Sequence, residues 1–341
     1  MKGPVASATA ATEPTEQTEP PAPAVARRYL IVRNPLAGSK GGIPTNACSS
    51  SELSDLAQRH GLGQDIAEPP DEAAAHAATR AAVAADVDVV VAAGGDGTAR
   101  LIAEDLVGMP TALAILPCGS VMNVARALGI PRDLEAAGAL IASGEITTID
   151  MGEATTADGL GVRFLEAGSV GMNAAMFREA ARFDQGDWAS ILRTIWVALR
   201  YRPARMRLEL DQGTLRTRAL MVTVSIGPYI GVGMTVAPRA RMDDGQFDIR
   251  VFRGFSKWEL LRHLASIAFG RRRYAPHTST YRSAAVTISS AHPLPARADG
   301  TDLGTTPVTF RTLPAVLRVV VPPRQPAAGG SSGAASGRRR M

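Results

Sequence analysis

Apolar runs and amphipathic stretches alternate along the first half of the chain. Tyr29–Arg33 and residues 88–93 and 111–116 are continuous apolar runs, and the last two are typical of strands buried on both faces. Each run ends in a turn that contains glycine or proline. Strand, turn and helix in repetition predict an α/β domain with a parallel sheet over residues 28–150, with Thr98 as the N-cap of its second helix. The helical patterns cover residues 71–85, 98–106, 121–128 and 134–143.

The pattern changes after about residue 149, where strand-like runs dominate. Turn residues separate these runs, and helical stretches over residues 188–201 and 256–270 interrupt them. This texture predicts a β-rich, sandwich-like second domain over residues 151–322. The runs lie at residues 205–210, 220–226, 247–252, 285–289, 308–312 and 316–321.

Composition agrees with a folded chain of two domains. Of 341 residues, 45% are hydrophobic and 20% are charged, which is enough apolar material for a real core. No apolar run reaches the roughly 18 residues of a membrane span, and the first residues lack the apolar region of a secretory signal. Residues 1–27 and 323–341 have the composition of disordered tails. The two cysteines, Cys48 and Cys118, are too few for a disulfide framework and fit a reducing compartment.

The candidate chemistry lies in three turns that follow predicted strands. The turn Gly-Gly-Asp-Gly-Thr at residues 94–98 lets the backbone approach a phosphate and points helix N-terminal amides at it. Because Asp96 would repel a bare phosphate, it indicates a Mg²⁺ bridge or a catalytic carboxylate. The carboxyl ends of parallel strands meet at one edge, so the three turns should converge. The residues predicted to contact a phosphate-bearing ligand are Asn34, Pro35, Gly38, Ser39, Gly94, Gly95, Asp96, Gly97, Thr98, Gly119, Ser120 and Asn123.

These motifs resemble those of the diacylglycerol kinase catalytic-domain family of lipid kinases, which includes sphingosine and ceramide kinases. Asn34-Pro35 with Gly38 is similar to the family's NPxxG opening, and residues 94–98 match its GGDGT signature. Residues 116–126 (LPCGSVMNVAR) are similar to its LPxGTxNxxAR loop, and residues 237–245 resemble its AP…DDG element.

Three positions depart from the family pattern. Ser120 replaces a threonine but keeps the hydroxyl. Met122 stands at the usual asparagine position, with Asn123 one residue later. The family's late Asp-Gly-Glu reads Asp299-Gly300-Thr301 here, which removes one carboxylate.

The resemblance implies an α/β domain that holds ATP and a β-sandwich-like second domain, with the active site in the cleft between them. It implies ATP, Mg²⁺ and phosphoryl transfer to a lipid hydroxyl, with diacylglycerol as the first choice and ceramide or sphingosine next. Asp299 is the candidate base and Asp96 the second catalytic carboxylate. Asp243 and Asp244 are candidate metal ligands, because paired carboxylates in a turn can hold a hard cation. The alternatives are NAD kinase, which shares only GGDGT, and a non-catalytic nucleotide- or lipid-binding relative.

The expected partners are ATP and a lipid substrate at a membrane surface, without nucleic acid, and a homodimer stays open. The net charge of +5 permits attraction to anionic lipid. Trp258 and the basic cluster Arg271, Arg272 and Arg273 are suited to a membrane interface, and residues 188–201 offer a second apolar helix. The chain is therefore expected in the cytoplasm, transiently associated with the inner face of the membrane.

Overall fold

Two β-sheets, of ten and six strands, organise the protein. The computed structural model describes residues 27–35, 37, 39–40, 43–44, 48–180, 189–231, 233–254 and 278–323. Apart from residues 27 and 323, the predicted tails lie outside these ranges, as do the helix predicted over residues 256–270 and the basic cluster after it. Among the helices in the described ranges, none is long and apolar enough to cross a membrane.

The first half forms the predicted α/β unit. Strand β1 and helix α5 have the predicted bounds, and β5 and β6 are displaced by one residue. Strands β4, β1, β5 and β6 are parallel neighbours, so their carboxyl ends lie at one edge. The elements are β1 (Tyr29–Arg33), β2 (Ser39–Lys40), β3 (Ile43–Pro44), α1 (Ser50–His60), β4 (Ile66–Ala67), α2 (Glu72–Ala84), β5 (Val89–Gly94), α3 (Asp96–Leu106), β6 (Ala112–Pro117), α4 (Asn123–Ala127) and α5 (Leu134–Ser143).

The N-cap side chain accepts a hydrogen bond at the start of α1, α2 and α5, whereas the N-cap residues of α3 and α4 make no such bond. Asp71 accepts a hydrogen bond from the Ala74 N–H at 2.8 Å and thereby caps α2. Helix α3 begins at Asp96 and has Gly95 as its N-cap, so the prediction that Thr98 is the N-cap is wrong. Because glycine has no side chain, no side-chain hydrogen bond caps the first turn of α3.

The second half is β-rich, as predicted. Strand β15 has the predicted bounds, α7 lies within residues 188–201, and the two runs predicted at 308–312 and 316–321 form a single strand, β20. The elements are β7 (Glu145–Thr156), β8 (Gly161–Phe164), β9 (Ala167–Gly171), α6 (Met172–Ala180), α7 (Ala189–Arg200), β10 (Ala204–Leu210), β11 (Gly213–Ala219), β12 (Met221–Ser225), β13 (Tyr229–Ile230), β14 (Met234–Thr235), β15 (Phe247–Phe252), β16 (Thr278–Ser283), β17 (Ala285–Ser290), β18 (Pro295–Ala298), β19 (Thr301–Thr305) and β20 (Val308–Val321).

Strand β20 joins the two halves into one continuous sheet. It pairs with β6 in parallel through Val319 and Leu113, and with β7 in antiparallel fashion along most of its length. The larger sheet therefore has the strand order β11-β10-β17-β20-β6-β5-β1-β4, with β7 and β8 attached at β20. The predicted boundary at residue 150 falls inside β7.

Three phenylalanines pack between the sheets, and small residues make room for them. The rings of Phe164 and Phe247 are stacked with centroids 5.9 Å apart, and Phe310 meets Phe164 edge-on at 6.0 Å. A Cβ atom on Gly168 would lie 2.1 Å from Cε1 of Phe310. Strand β9 is therefore built from small residues because a neighbouring ring occupies the space of a side chain.

Asp150 anchors two distant segments to β7. Its carboxylate is almost fully buried and accepts hydrogen bonds from the Gly245 N–H at 2.7 Å and from the Ala315 N–H at 2.8 Å. Ala315 has a positive φ of 50°, a conformation that costs energy for a residue with a Cβ atom. The Asp-Asp-Gly turn is thus held in place from β7, by a carboxylate outside the motif.

Replacing Asp150 by asparagine should lower the free energy of unfolding by about 1–3 kcal/mol, because one of two backbone N–H groups loses its acceptor. Urea denaturation measures this change. The matched control is Glu153→Gln on the same strand, whose half-buried carboxylate makes no hydrogen bond to a described residue. Equal unfolding midpoints for the two variants would contradict the anchoring role.

Candidate functional site

The three strand-end turns converge, as the sequence predicted. Asn34 donates from Nδ2 to Thr98 Oγ1 at 3.1 Å and so joins the first turn to the second. The second and third turns touch backbone to backbone, because a Cβ atom on Gly119 would lie only 2.6 Å from the Cα atom of Gly95. Of the other predicted contacts, Gly38 and the side chain of Ser39 lie outside the described residues.

Asp96 holds the third turn in place. Its two carboxylate oxygens accept hydrogen bonds from the backbone N–H groups of Asn123 and Val124, each at 2.9 Å. These bonds fix the start of α4 directly after its N-cap Met122, which has a positive φ of 58°. The helix therefore begins two residues later than predicted. The structure thus gives Asp96 a positioning contact, and its catalytic role stays a prediction.

The glycines of these turns permit a direct test of the packing. Gly119→Ala should lower the free energy of unfolding by about 1–3 kcal/mol, because the added methyl group overlaps backbone that cannot easily move. Gly97→Ala is the matched control, since nothing lies within 4 Å of its added Cβ atom. Chemical denaturation gives the stabilities. Equal destabilisation of both variants would contradict the close approach of the two turns.

Residues of the second half complete the site from the opposite side. Asn123 donates from Nδ2 to the Gly231 carbonyl at 2.8 Å, while its Oδ1 atom is buried without a hydrogen-bond donor among the described residues. The Arg126 guanidinium lies 3.9 Å from the centroid of the Tyr229 ring. Helix α4 of the α/β half therefore contacts the β-rich half directly.

Asp299 lies in the turn between β18 and β19 and is enclosed by backbone amides. Its carboxylate accepts hydrogen bonds from the N–H groups of Leu165 at 2.8 Å, Glu166 at 3.0 Å and Ala167 at 3.0 Å. Burial raises the pKa of Asp299, and the three hydrogen bonds act against that rise by stabilising the charged form. Asp299 thus fixes the segment that carries residue 166.

Glu166 is a site residue that the sequence analysis missed. Its Oε2 atom accepts a hydrogen bond from Asn123 Nδ2 at 2.7 Å, and its Oε1 atom meets no donor among the described residues. Burial raises the pKa of Glu166 well above its ordinary value, and the negative charges of Asp299 and Asp96 raise it further. No motif surrounds this glutamate, so the chain offered no signal for it. The carboxylate beside Asp299 is therefore contributed by residue 166, whereas Thr301 has none.

A buried arginine accompanies the two carboxylates. Arg297 is 9% exposed, and its guanidinium lies 3.5 Å from the centroid of the Phe177 ring. Burial lowers the pKa of Arg297 to about 10, while the charges of Asp299 and Glu166 act in the opposite direction, so the side chain stays cationic at neutral pH. Its Nη1 atom has no hydrogen-bond acceptor in the described part of the chain. Such an N–H group can donate a hydrogen bond to an oxygen of an anionic ligand.

The two predicted metal ligands form ion pairs with arginines. Asp243 accepts two hydrogen bonds from Arg241, one of them from Nε at 3.0 Å. Asp244 pairs with Arg282 through Oδ2 and accepts from the Gln246 N–H through Oδ1. Within the described ranges, no group of three His, Cys, Asp or Glu residues could hold a metal ion. The geometry therefore gives no support to a metal site at this turn.

Comparisons with known proteins find similarity to diacylglycerol kinases in both halves of the chain. Residues 28–154 match the diacylglycerol kinase catalytic domain, and residues 167–321 match the YegS C-terminal NAD kinase beta sandwich-like domain. The diacylglycerol kinase of Mycobacterium tuberculosis (strain ATCC 25618 / H37Rv) is 29% identical over 247 residues, which cover 71% of this chain and 79% of that protein. The diacylglycerol kinase of Bacillus subtilis (strain 168) is 27% identical over 257 residues, 73% of this chain and 82% of that protein.

The fold has a counterpart among solved structures. The crystal structure of a diacylglycerol kinase from Bacillus anthracis str. Sterne superposes with a TM-score of 0.63 at 17% sequence identity, and the match covers 87% of this chain and 97% of that chain. Both halves of the chain therefore belong to one known architecture.

Proposed function

Because the chain belongs to the diacylglycerol kinase catalytic-domain family of lipid kinases, we propose that it transfers the γ-phosphoryl group of ATP to the hydroxyl group of diacylglycerol. The observation that supports this most directly is the constellation in the cleft. Two carboxylates with raised pKa values and a buried arginine stand on one side, and three converging glycine turns stand on the other. The kinase activity follows from the family, and the identity of the acceptor is the proposal.

We propose that the glycine turns bind the phosphates of ATP. The first turn of α3 has no side-chain cap, so its N-terminal end can receive phosphate oxygens. Gly94 cannot carry a side chain, because a Cβ atom there would lie 2.4 Å from Thr98 Oγ1. Thr98 is in turn held by Asn34, which keeps its hydroxyl at the junction of two turns. Four further residues of the same turns remain predicted contacts of the nucleotide: Pro35, Gly95, Gly97 and Ser120.

The chemical step needs a group that takes the proton of the lipid hydroxyl. As the acceptor oxygen forms its bond to the γ-phosphorus, the bond from phosphorus to the bridging oxygen breaks and ADP leaves. We assign the proton to Glu166 Oε1, because that oxygen has no donor in the described part of the chain and its pKa is raised. Asp299 positions Glu166 through the backbone, and we assign to Arg297 Nη1, which has no acceptor among the described residues, the neutralisation of charge on a phosphoryl oxygen.

In the proposed reaction, Mg²⁺ binds to the protein only together with the nucleotide. In kinases Mg²⁺ neutralises the phosphates and usually keeps several water ligands, with few protein carboxylates. The described residues contain no three-residue acidic cluster that could serve as a resident site, and both oxygens of Asp96 already accept backbone hydrogen bonds. No residue of this chain is therefore assigned as a magnesium ligand.

Labelled ATP and a panel of acceptors test the function. The full chain is incubated with diacylglycerol, ceramide or sphingosine in mixed micelles, or with NAD in solution. We expect label in phosphatidic acid, with Glu166→Gln as the inactive control that excludes a contaminating kinase. Label in ceramide phosphate, sphingosine phosphate or NADP in place of phosphatidic acid would refute diacylglycerol as the acceptor. ATP binding without transfer to any acceptor would favour a non-catalytic relative.

The acceptor also bears on where the protein works. Diacylglycerol resides in the bilayer while ATP is dissolved in water, so the catalyst has to reach both. We propose a cytoplasmic protein that associates transiently with the inner face of the membrane. Separation of cell extracts into membrane and soluble fractions, with an antibody to the chain, tests this proposal. Retention in the membrane fraction at high salt would point to permanent anchoring.

A further inference from the structure

Four arginines form a ladder on the edge hairpin of the larger sheet. In the antiparallel pair of β10 and β11, Arg205 stands directly opposite Arg218, and Arg207 stands directly opposite Arg216. Directly opposite residues share one face of a sheet, and all four arginines are exposed, whereas Met206 and Leu208 on the other face of β10 are buried. These four residues are the arginine ladder.

The described part of the protein balances only one of the four positive charges of the ladder with an ion pair. Like charges directly opposite each other destabilise a strand pair, and two such pairs are adjacent here. Arg207 has an ion pair with Glu209 at 2.8 Å. Within the described ranges, Arg205, Arg216 and Arg218 make no ion pair. The simplest physical reason for this arrangement is that the arginines bind an anionic partner.

A shallow groove over the ladder offers a further hydrogen-bond donor. Its volume is about 540 Å³, and Ser289 on β17, which stands opposite Arg207, lines it together with the arginines. Arginine forks and serine hydroxyls are groups that bind phosphate oxygens. The groove is open to solvent, so it suits the headgroups of an extended surface better than an enclosed small molecule.

An exposed apolar turn precedes the ladder along the chain. On α7, Trp196 is 59% exposed and Ile195 is 37% exposed, and the Arg200 guanidinium lies 4.7 Å from the centroid of the Trp196 ring. Only three residues separate the end of α7 from the start of β10. An exposed tryptophan beside arginine is typical of the boundary between lipid headgroups and acyl chains.

We propose that the arginine ladder, with Ile195 and Trp196, docks the protein on a bilayer that contains anionic phospholipid. The arginines would bind lipid phosphates while the two apolar side chains enter the headgroup boundary. A nucleic acid would also attract the arginines, but it offers nothing to an exposed isoleucine. The proposal rests on the proposed function only in that both substrates meet at a membrane.

Vesicle co-sedimentation of the full chain tests the surface. The variant R205S/R207S/R216S/R218S should partition about a hundredfold more weakly than the parent onto vesicles of phosphatidylglycerol and phosphatidylcholine, since each basic residue near an anionic surface contributes about 1 kcal/mol. The difference should shrink as salt rises and vanish on pure phosphatidylcholine. The matched control R28S/R59S/R80S/R241S removes the same charge at exposed sites elsewhere and should keep most of the binding.

Two further measurements separate docking from catalysis and from folding. Phosphoryl transfer in neutral micelles should be unchanged in the ladder variant, because the ladder takes no part in the chemistry. Its melting temperature at low salt should equal or exceed that of the parent, because two repulsive pairs are removed. If the parent phosphorylates none of the acceptors while the ladder variant still loses vesicle binding, the function is wrong and the docking surface stands.

Two results would overturn the docking surface. One is equal binding of parent and ladder variant to anionic vesicles at low salt. The other is tighter binding of the parent to duplex DNA than to those vesicles at the same ionic strength, with the same loss in the ladder variant. The variant I195S/W196S tests the apolar contacts independently. It should bind the vesicles more weakly than the parent, and this difference should persist as salt rises.

Discussion

Replacing Glu166 by glutamine is expected to lower kcat by about 10²–10⁴-fold, the usual contribution of a general base. The amide keeps the size of the side chain and its oxygen can still accept the hydrogen bond from Asn123 Nδ2. The KM values for ATP and lipid should change little, because the interaction that is lost belongs to the chemical step. Steady-state kinetics in mixed micelles measure this effect.

The pH dependence of kcat checks the same assignment. Glu166 accepts a proton only when it is ionised, so kcat should fall as pH falls through its raised pKa. The variant should lose this limb of the profile. The matched control is Glu145→Gln, the same chemical change at an exposed position at the start of β7. A kcat within threefold of the parent, with an unchanged profile, would mean that Glu166 holds Asn123 without taking the proton.

The contribution of Glu166 to the stability of the protein should change with pH in the opposite direction to kcat. The folded pKa of Glu166 lies above its ordinary value of 4.5, so the folded protein binds this proton more tightly than the unfolded chain does. The contribution of Glu166 to the free energy of unfolding therefore falls as pH rises from that ordinary value through the raised pKa. Glu166→Gln removes this penalty, and its melting temperature should exceed that of the parent at neutral pH. The gap should narrow on acidification, as differential scanning calorimetry can measure.

The second large effect is expected at Asp299, where asparagine should impair both folding and turnover. Asparagine offers one acceptor oxygen and turns a donor NH₂ group toward backbone N–H groups that need acceptors. Each buried N–H group left without an acceptor costs about 1–3 kcal/mol. The backbone conformation itself should be tolerated, because asparagine readily adopts the positive φ of 43° found there.

The contrast between these two variants distinguishes a base from a positioning residue. Asp299→Asn should lower the melting temperature together with kcat, since the segment that carries Glu166 loses its anchor. Glu166→Gln should lower kcat without lowering the melting temperature. A fully stable Asp299→Asn protein that has lost kcat but retains ATP affinity would instead identify Asp299 as the base, as the family resemblance predicted.

The sequence determined much of the fold, because local rules and burial agree along most of the chain. Strand β1 and strand β15 are predicted with their bounds, since a continuous apolar run between turn residues fits a buried strand. Helix α5 is predicted with its bounds, and Asp133 caps it by accepting from the Ala136 N–H. The glycine turns and their convergence are also predicted, because parallel strands must end at one edge.

Strands β7 and β9 could not be predicted, because their sequences carry no strand pattern of their own. β7 contains threonine, aspartate and glycine, and its long pairing with β20 stabilises it. β9 consists of small residues, for which the Phe310 ring beside Gly168 is the physical reason. In both strands the deciding partner lies more than a hundred residues away along the chain.

The same distinction holds at the site. The sequence alone identified Asp96 from its glycine turn and Asp299 from its resemblance to the family's late Asp-Gly-Glu. Only the tertiary structure showed that both carboxylates are occupied by backbone amides and that Glu166, an isolated glutamate in the sequence, lies beside Asp299. Motif residues can be read from spacing, because their turn geometry is local. The pKa of a carboxylate depends on which charges and amides surround it, and folding decides those neighbours.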